Sequence, residues 1–484
     1  LLKGTPRISF AAGREPALLP IFPDLPVFFG YAIAVLHAEE APFCPLPIKK
    51  STTYREFDCT ARIWYRMRLT GEVERPRLSH FHQESQLFMT YEIPAQLPII
   101  RLKTERRHNH PWIFQKMIEK TPDKPRNGSL VDVTNPDGTW VGRGIYNGHS
   151  RIALRILTEK PEELLNEDFF RTRIGTAINL RRDILKLDSV TNAYRLVHSE
   201  GDNLSGLVVD RFNEMLVVEY FSSGMYRLRP LIEKILLEHF PDAPIYFYAE
   251  EHVQKQESTD IRSPKPPAPM TIYEHGLKFK AAPGSKHKTG FFVDQRENRK
   301  YLAELTRSIP SARVLDICCN SGGFGIYAKT LGRAAEVTGL DLDEGVIALA
   351  QENAALNDAN IRYVQVDLFH WLREAIEKKE QFDVVILDPS KQTRTKEEVP
   401  RALKKYEDMN RLAMQVVKPG GILLSCSCTG LIAEHEYLDR VRRAAFQAGR
   451  QAQIFKLSGA GPDHPFMAHV AEGRYLKAVW ARIL

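Results

Sequence analysis

Arg313-Val314-Leu315-Asp316-Ile317-Cys318-Cys319-Asn320-Ser321-Gly322-Gly323-Phe324-Gly325 is the stretch on which the fold turns. Residues 313–317 form an apolar run of strand length, and the glycines after it predict a tight turn into a helix over 323–331. The pattern repeats downstream. Strands at 336–342, 361–367, 382–388 and 421–427 alternate with helices at 344–356, 371–379, 406–417 and 434–448. Five consecutive βα units predict an α/β fold with a doubly wound parallel sheet. Two more strands, 451–457 and 475–483, have no helix between them and predict a terminal hairpin with one antiparallel strand.

Such sheets bind ligands at the carboxyl ends of their strands. The first strand brings Asp316 there, and Gly322 and Gly323 let backbone approach a ligand closely. The spacing is not the G-x-G-x-x-G dinucleotide fingerprint. Asp341 ends the second strand, where a carboxylate can accept hydrogen bonds from both ribose hydroxyls of an adenosine cofactor. Asp367 ends the third, within reach of an adenine amino group. Each acid alone reads equally well as a solvated strand end; three at consecutive strand ends favour a nucleotide-type site.

The fourth strand ends in Asp388-Pro389-Ser390-Lys391 and the fifth in Ser425-Cys426-Ser427-Cys428-Thr429-Gly430. A carboxylate and a cysteine beside an adenosine cofactor suggest chemistry on a nucleobase. Cytosine C5 is a poor nucleophile, but a thiolate adding to C6 makes C5 an enamine carbon that can attack a methyl sulfonium. A carboxylic acid can hold N3 and the exocyclic amine. Cys426 and Cys428 fall on one face of a regular strand. Cys428 is nearer the crevice and is the candidate nucleophile. Cys426 reads as core, and Cys318 and Cys319 as packing around the glycine turn. These cysteines lack zinc-ligand spacing, so no metal is expected.

Upstream, 97–162 reads as a small basic β-barrel. From Ile99 to Lys160, twelve Lys and Arg stand against six Asp and Glu, so nearly all of the chain's net charge of +7 sits in this segment. Its short apolar runs at 130–134, 140–146 and 151–157 are separated by Asn127-Gly128, Pro136-Asp137-Gly138 and Asn147-Gly148. The surface either contacts phosphates or is a solvated cationic face. Arg106, Arg107 and Arg151 here, with Lys391 in the crevice loop, are the residues expected on RNA. Residues 163–275 read as a small α+β unit, with helices over 163–187 and 227–240 and strands at 204–210, 215–221 and 245–249. A proline-rich linker follows over 254–269. The sheet-bearing part takes 276–484.

Residues 1–96 read as an extension without a core of its own. Their most apolar stretch, 17–38, is broken by Pro20, Pro23, Asp24 and Pro26, so neither a membrane span nor a signal peptide built on 27–36 is expected. Across 484 residues, 43% hydrophobic and 26% charged content excludes a wholly disordered chain or a multi-span membrane protein. That length leaves room for about three domains. Six cysteines with no C-x-x-C point to a reducing, cytoplasmic compartment.

From about Leu97 to Leu484 the chain resembles the RlmI (YccW)-type 23S rRNA cytosine-C5 methyltransferases. The resemblance is carried by Arg107-His108-Asn109-His110-Pro111-Trp112-Ile113-Phe114, by the run from Glu200-Gly201-Asp202 to Phe212, and by the run from His287-Lys288-Thr289-Gly290 to Arg296. It continues in the Ser321–Gly325 turn, in Ser425–Gly430 and in Asp463-His464-Pro465. It implies a PUA domain, a central α+β domain and a class I fold binding S-adenosyl-L-methionine. It also implies 23S rRNA or a large-subunit precursor as partner, with a homodimer left open and no membrane. Cys428 is then the nucleophile. Gln295 and Arg296 fall where the family's cofactor pocket is approached from the N-terminal side, and Arg296 is expected to meet the methionine carboxylate. Two departures stand out. The family reads Asp-Pro-Pro-Lys/Arg-Phe where this chain has Asp388-Pro389-Ser390-Lys391-Gln392, and Cys318-Cys319-Asn320 replaces a more aromatic stretch. Three other readings stay in view: a nicotinamide-dependent oxidoreductase, an exocyclic-amine RNA methyltransferase, and a non-catalytic rRNA-binding assembly factor.

Overall fold

The computed structural model describes residues 96–120, 124–284 and 290–484. The extension read at 1–96, apart from Gln96, lies outside the described residues, as do His287, Lys288 and Thr289. Strands β1 (Ile99–Arg101), β2 (Trp112–Phe114), β3 (Ser129–Thr134), β4 (Trp140–Tyr146) and β5 (Ile152–Thr158) form one sheet in the order β1-β3-β4-β5-β2. Ile100, Ile113, Val131, Val133 and Leu154 fill its core. Gly144 sits at an irregularity between β4 and β5, where a Cβ would lie 2.1 Å from the Arg155 carbonyl oxygen.

The middle unit packs α1 (Glu167–Asn179) and α3 (Arg229–His239) on a four-stranded sheet. Its strands are β6 (Ala193–His198), β7 (Leu207–Phe212), β8 (Met215–Tyr220) and β9 (Ile245–Tyr248), in that order, and the short helix α2 (Ser223–Arg227) precedes α3. The Asn166 side chain caps α1 by accepting from the Phe169 N–H at 3.0 Å. The helix expected to reach 187 stops earlier. A wider π turn over Leu180–Ile184 carries Arg181 inward, where it forms two bonds to Asp202 at 2.7 and 2.9 Å. The expected linker also begins later than 254. Helix α4 (Glu251–Glu257) occupies its start because Val253 and Glu257 are buried, and the Gln254 carboxamide accepts the Ile261 N–H at 2.8 Å to close the turn.

A hairpin of β10 (Met270–Glu274) and β11 (Leu277–Ala281) follows, and the expected boundary at 275/276 falls in its turn. Helix α5 (Arg296–Arg307) leads into the large sheet. Its elements are β12 (Arg313–Ile317), α6 (Gly323–Lys329), β13 (Glu336–Asp341), α7 (Glu344–Ala355), β14 (Arg362–Gln365) and α8 (Leu368–Glu377). Then come β15 (Phe382–Leu387), α9 (Val399–Gln415), β16 (Val417–Ser427), α10 (Glu434–Gln447), β17 (Ala452–Ser458) and β18 (Lys477–Ile483). The strand order is β14-β13-β12-β15-β16-β18-β17, and only β18 runs antiparallel to its neighbours. The sheet is covered on both faces. Leu315, Ile317, Val385 and Leu387 pack with Tyr406, Leu412 and Val441, while Val314, Val384, Ile386 and Leu424 pack with Leu302, Phe324 and Trp480. That is why the central strands read as continuous apolar runs. The order reverses between β12 and β15, which puts the ligand crevice at their carboxyl ends. Among the described residues no helix is long and apolar enough to cross a membrane.

Buried charge joins the middle unit to the sheet. Asp463 accepts from Arg296 at 2.9 Å and from the Arg195 N–H at 3.0 Å. Glu274 receives a bidentate Arg299 at 2.8 and 2.9 Å. A Cβ at Gly201 would lie 2.0 Å from the Pro465 carbonyl oxygen, so only glycine fits this joint.

Candidate active site

The turn after β12 is built from left-handed backbone. Cys318, Asn320 and Gly322 have φ of 62°, 47° and 81°. Asn320 is a residue type that tolerates this region. At Gly322 a Cβ would lie 2.4 Å from the Tyr363 hydroxyl, which requires glycine there whatever binds. At Gly323 it would lie 3.0 Å from the Arg299 side chain. Asp316 is buried beneath the turn and accepts the Gly325 N–H at 2.9 Å through Oδ2, while its Oδ1 is buried with no hydrogen-bond partner. Burial, with the charges of Asp388 and Asp341, pushes its carboxyl up to about 7. A cationic ligand at this crevice would relieve that repulsion.

Asp341 holds the turn in shape. Its Oδ2 accepts the Asn320 N–H at 3.0 Å and its Oδ1 the Leu342 N–H at 2.8 Å. Asp367 lies two residues beyond the end of β14, as the N-cap of α8, with Oδ1 accepting from Phe369 and His370. One of its oxygens is therefore committed to the helix. Burial raises both the Cys318 and Cys319 thiols above the usual cysteine value.

Two expected roles need correction. Arg296 is wholly buried and its guanidinium is bound to Asp463 and Glu297, which removes it from the cofactor set. Arg106 is likewise spent inside the protein, on Glu159 at 2.6 Å and on the Val141 and His110 carbonyls. Arg107, Arg151 and Lys391 are exposed.

Asp388 and Cys428 lie just past the ends of the paired strands β15 and β16. The Cys428 thiol lies 4.0 Å from the Pro389 carbonyl oxygen. Gln295 donates to Asp388 at 3.0 Å, and Asn298 in turn donates to Gln295 at 2.6 Å. The chain continues through Ser458 to the Trp480 indole. Sequence reasoning missed Asn298; its signal would have been one helical turn of spacing from Gln295. Thr429 is buried, sharing a hydrogen bond with Tyr406 at 2.9 Å and accepting the Gln392 N–H at 3.1 Å. The departing Ser390-Lys391-Gln392 loop is thereby tied to the cysteine segment by its backbone, without the second proline. Cys426 is wholly buried beside Trp480, as a core residue.

A doubly wound sheet in this strand order, with a glycine turn over a buried acid and a second acid at the next strand end, defines a class I S-adenosylmethionine-dependent methyltransferase. Residues 102–159 match the PUA-like domain family and residues 310–459 a methyltransferase domain family. Solved structures similar in fold include a methyltransferase complexed with S-adenosylhomocysteine (TM-score 0.67, 18% identity, 80% of this chain and 99% of that one). Another is a methyltransferase from Streptococcus mutans (TM-score 0.66, 16% identity, 80% and 100%). The ribosomal RNA large subunit methyltransferase I of Aeromonas hydrophila is 38% identical over 382 residues, covering 77% of this chain and 95% of that protein. Its namesake in Shewanella amazonensis is 36% identical over 396 residues, covering 79% and 99%. The chain belongs to the ribosomal RNA large subunit methyltransferase I family, and its cofactor is S-adenosylmethionine. Asp316, the 319–323 turn and Asp341 are the residues that fit it.

Asp341→Ala should weaken S-adenosylmethionine binding by about 1.5–3 kcal/mol, the range for hydrogen bonds to a charged group. The variant loses a carboxylate at the crevice and the bond that shapes the Asn320 turn. Calorimetry checks this; unchanged affinity would remove Asp341 from the site.

Proposed function

We propose that the protein methylates C5 of a cytosine in 23S ribosomal RNA through a transient covalent bond from Cys428. The observation that carries the reading is the juxtaposition of Cys428 with the Asp388-Pro389 segment at neighbouring strand ends, on the rim of the cofactor crevice. The relatives' names, which specify the large ribosomal subunit RNA, support the substrate. S-adenosylmethionine supplies an electrophilic methyl group on its sulfonium. The protein's part is to raise the reactivity of C5. The Cys428 thiolate adds to C6, and its electron pair makes C5 a carbon nucleophile. Asp388, held by Gln295, and the Pro389 carbonyl are placed to engage N3 and the exocyclic amine. After methylation the C5 proton passes to solvent, its electron pair re-forms the C5–C6 double bond, and the bond from sulfur to C6 breaks to return the Cys428 thiolate. Exocyclic-amine methylation needs no thiol at this position, and an assembly factor needs neither thiol nor cofactor turn.

The division at 97–162, 163–275 and 276–484 then separates RNA docking, a connecting joint and catalysis, at work in the cytoplasm. Arg107 and Arg151 supply phosphate contacts. Reversing both charges should flatten the slope of log affinity against log salt by about 1–2, since each RNA phosphate neutralised contributes about 0.7–0.9. An unaltered slope in filter binding would mean a solvated face only. The reading as a whole is tested by bisulfite sequencing of rRNA from cells with and without the protein. One cytosine should be protected only when the protein is present; no such cytosine would overturn C5 methylation.

A further inference from the structure

Lys477 opens β18 directly opposite Ser427 of β16 and is 2% exposed. Its Nζ donates to three main-chain carbonyls: Thr429 at 2.7 Å, Tyr475 at 2.8 Å and Ile432 at 3.0 Å. An ammonium has three N–H donors and all are used, whereas a neutral amine would turn its lone pair onto a carbonyl. Among the described residues no carboxylate forms an ion pair with it. A buried cation satisfied only by neutral dipoles calls for an anion nearby. The Thr429 carbonyl belongs to the residue that follows Cys428, so the ammonium also fixes the strand exit on which that thiol stands.

We propose that Lys477 is a positioning residue for the nucleophile: its buried ammonium pins the 429–432 loop and serves as counter-charge to the Cys428 thiolate. This rests on the reading of Cys428 given above. The charges around the lysine agree with it. Burial lowers its proton affinity and Lys391 adds to that, while negative charge on Cys428, Glu434 and Glu436 raises it, which together bring it to about 8. Cys428 is the largest of the raising influences. The sign follows. Below about pH 8 the lysine is protonated and favours the thiolate, which is the reactive form of cysteine.

The test is the pH dependence of alkylation of Cys428 by iodoacetamide in the full chain, with fragment-ion mass spectrometry separating it from Cys426. In the native protein the midpoint should fall below the free-cysteine value of about 8.5. Lys477→Met should raise it by about one unit, a tenfold loss of thiolate at neutral pH. Lys477→Arg, which keeps the charge, should restore most of that loss. S-adenosylmethionine affinity should be unchanged in all three, which shows that the crevice is intact. A purely structural lysine would change how much protein folds, not the midpoint. A native midpoint at or above 8.5, or an unmoved midpoint in folded Lys477→Met, would overturn the proposal. If Lys477→Met fails to fold, the native midpoint decides alone. Failure of the underlying reading is seen separately, as methylation that survives Cys428→Ser.

Discussion

Cys428→Ser should lose methylation of the target cytosine altogether, within the detection of bisulfite sequencing, while S-adenosylmethionine binding and RNA affinity stay within about twofold of the native protein. A serine hydroxyl is almost wholly protonated near neutral pH and is a far weaker nucleophile than a thiolate, so the addition to C6 fails. The site itself should survive the change. Cys428 stands past the end of β16, and the neighbours that fix the loop are Ser427 and Thr429, both buried. Cys426→Ser is the matched control. Cys426 is buried in the cluster of Leu424, Ala478 and Trp480 with its thiol toward Gln295, so the variant should lose some stability and retain most of its activity. Equal loss in both variants, with cofactor binding also gone, would point to a damaged fold and not to a missing nucleophile.

The second large effect concerns stability. Arg296→Met should destabilise the protein by about 3–5 kcal/mol, because it leaves the Asp463 carboxylate buried without its arginine partner. The double variant Arg296→Met/Asp463→Leu should recover much of that loss, since no charge is then left stranded. The pH dependence has a definite sign. His464 and Arg296 hold the Asp463 carboxyl below the usual carboxylate range, against the effect of burial. The native protein therefore gains this stability above the unfolded value of about 4 and loses it as the pH falls. In Arg296→Met the carboxyl takes up a proton more readily, so the gap between the two proteins should narrow on acidification. Guanidinium unfolding at neutral and acid pH measures it. A gap that is absent at neutral pH, or that widens in acid, would contradict the role given to this pair.

The large sheet was legible because its central strands are buried on both faces and read as apolar runs, from Val314-Leu315 to Ile422-Leu423-Leu424. The acids near their ends were legible because each falls at or close to the end of a strand. What escaped shares one cause. Strand β6 and helix α5 carry Arg195, Arg296 and Arg299, residue types that read as surface when met in one dimension. Each is satisfied by a partner remote in sequence: Arg195 by Asp210, Arg299 by Glu274, and Arg296 by Asp463, 167 positions away. The same cause misassigned Arg296 to the cofactor and Arg106 to RNA, because a cation's distant partner cannot be seen from its own neighbourhood. Asp367 was placed by its strand end, but the capping geometry of α8 was not read from the Asp367-Leu368-Phe369 sequence. The family motifs outside the crevice gain a physical meaning too. Gly201, Asp202 and Asp463 shape the joint between the middle unit and the sheet, not the chemistry.

The central claim is that Cys428 bonds to C6 of the target cytosine, and trapping that bond tests it most directly. With 5-azacytidine-substituted rRNA, nitrogen replaces C5, so the methylated adduct has no proton there to lose and the bond to sulfur cannot be released by elimination. Digestion of the denaturation-resistant complex and mass spectrometry should place the RNA on Cys428, with Cys428→Ser forming no complex and Cys426→Ser retaining it. An adduct on Cys426 would assign the chemistry to the other thiol. No adduct on either, with methylation intact in both single variants, would contradict covalent catalysis and favour methylation of an exocyclic amine.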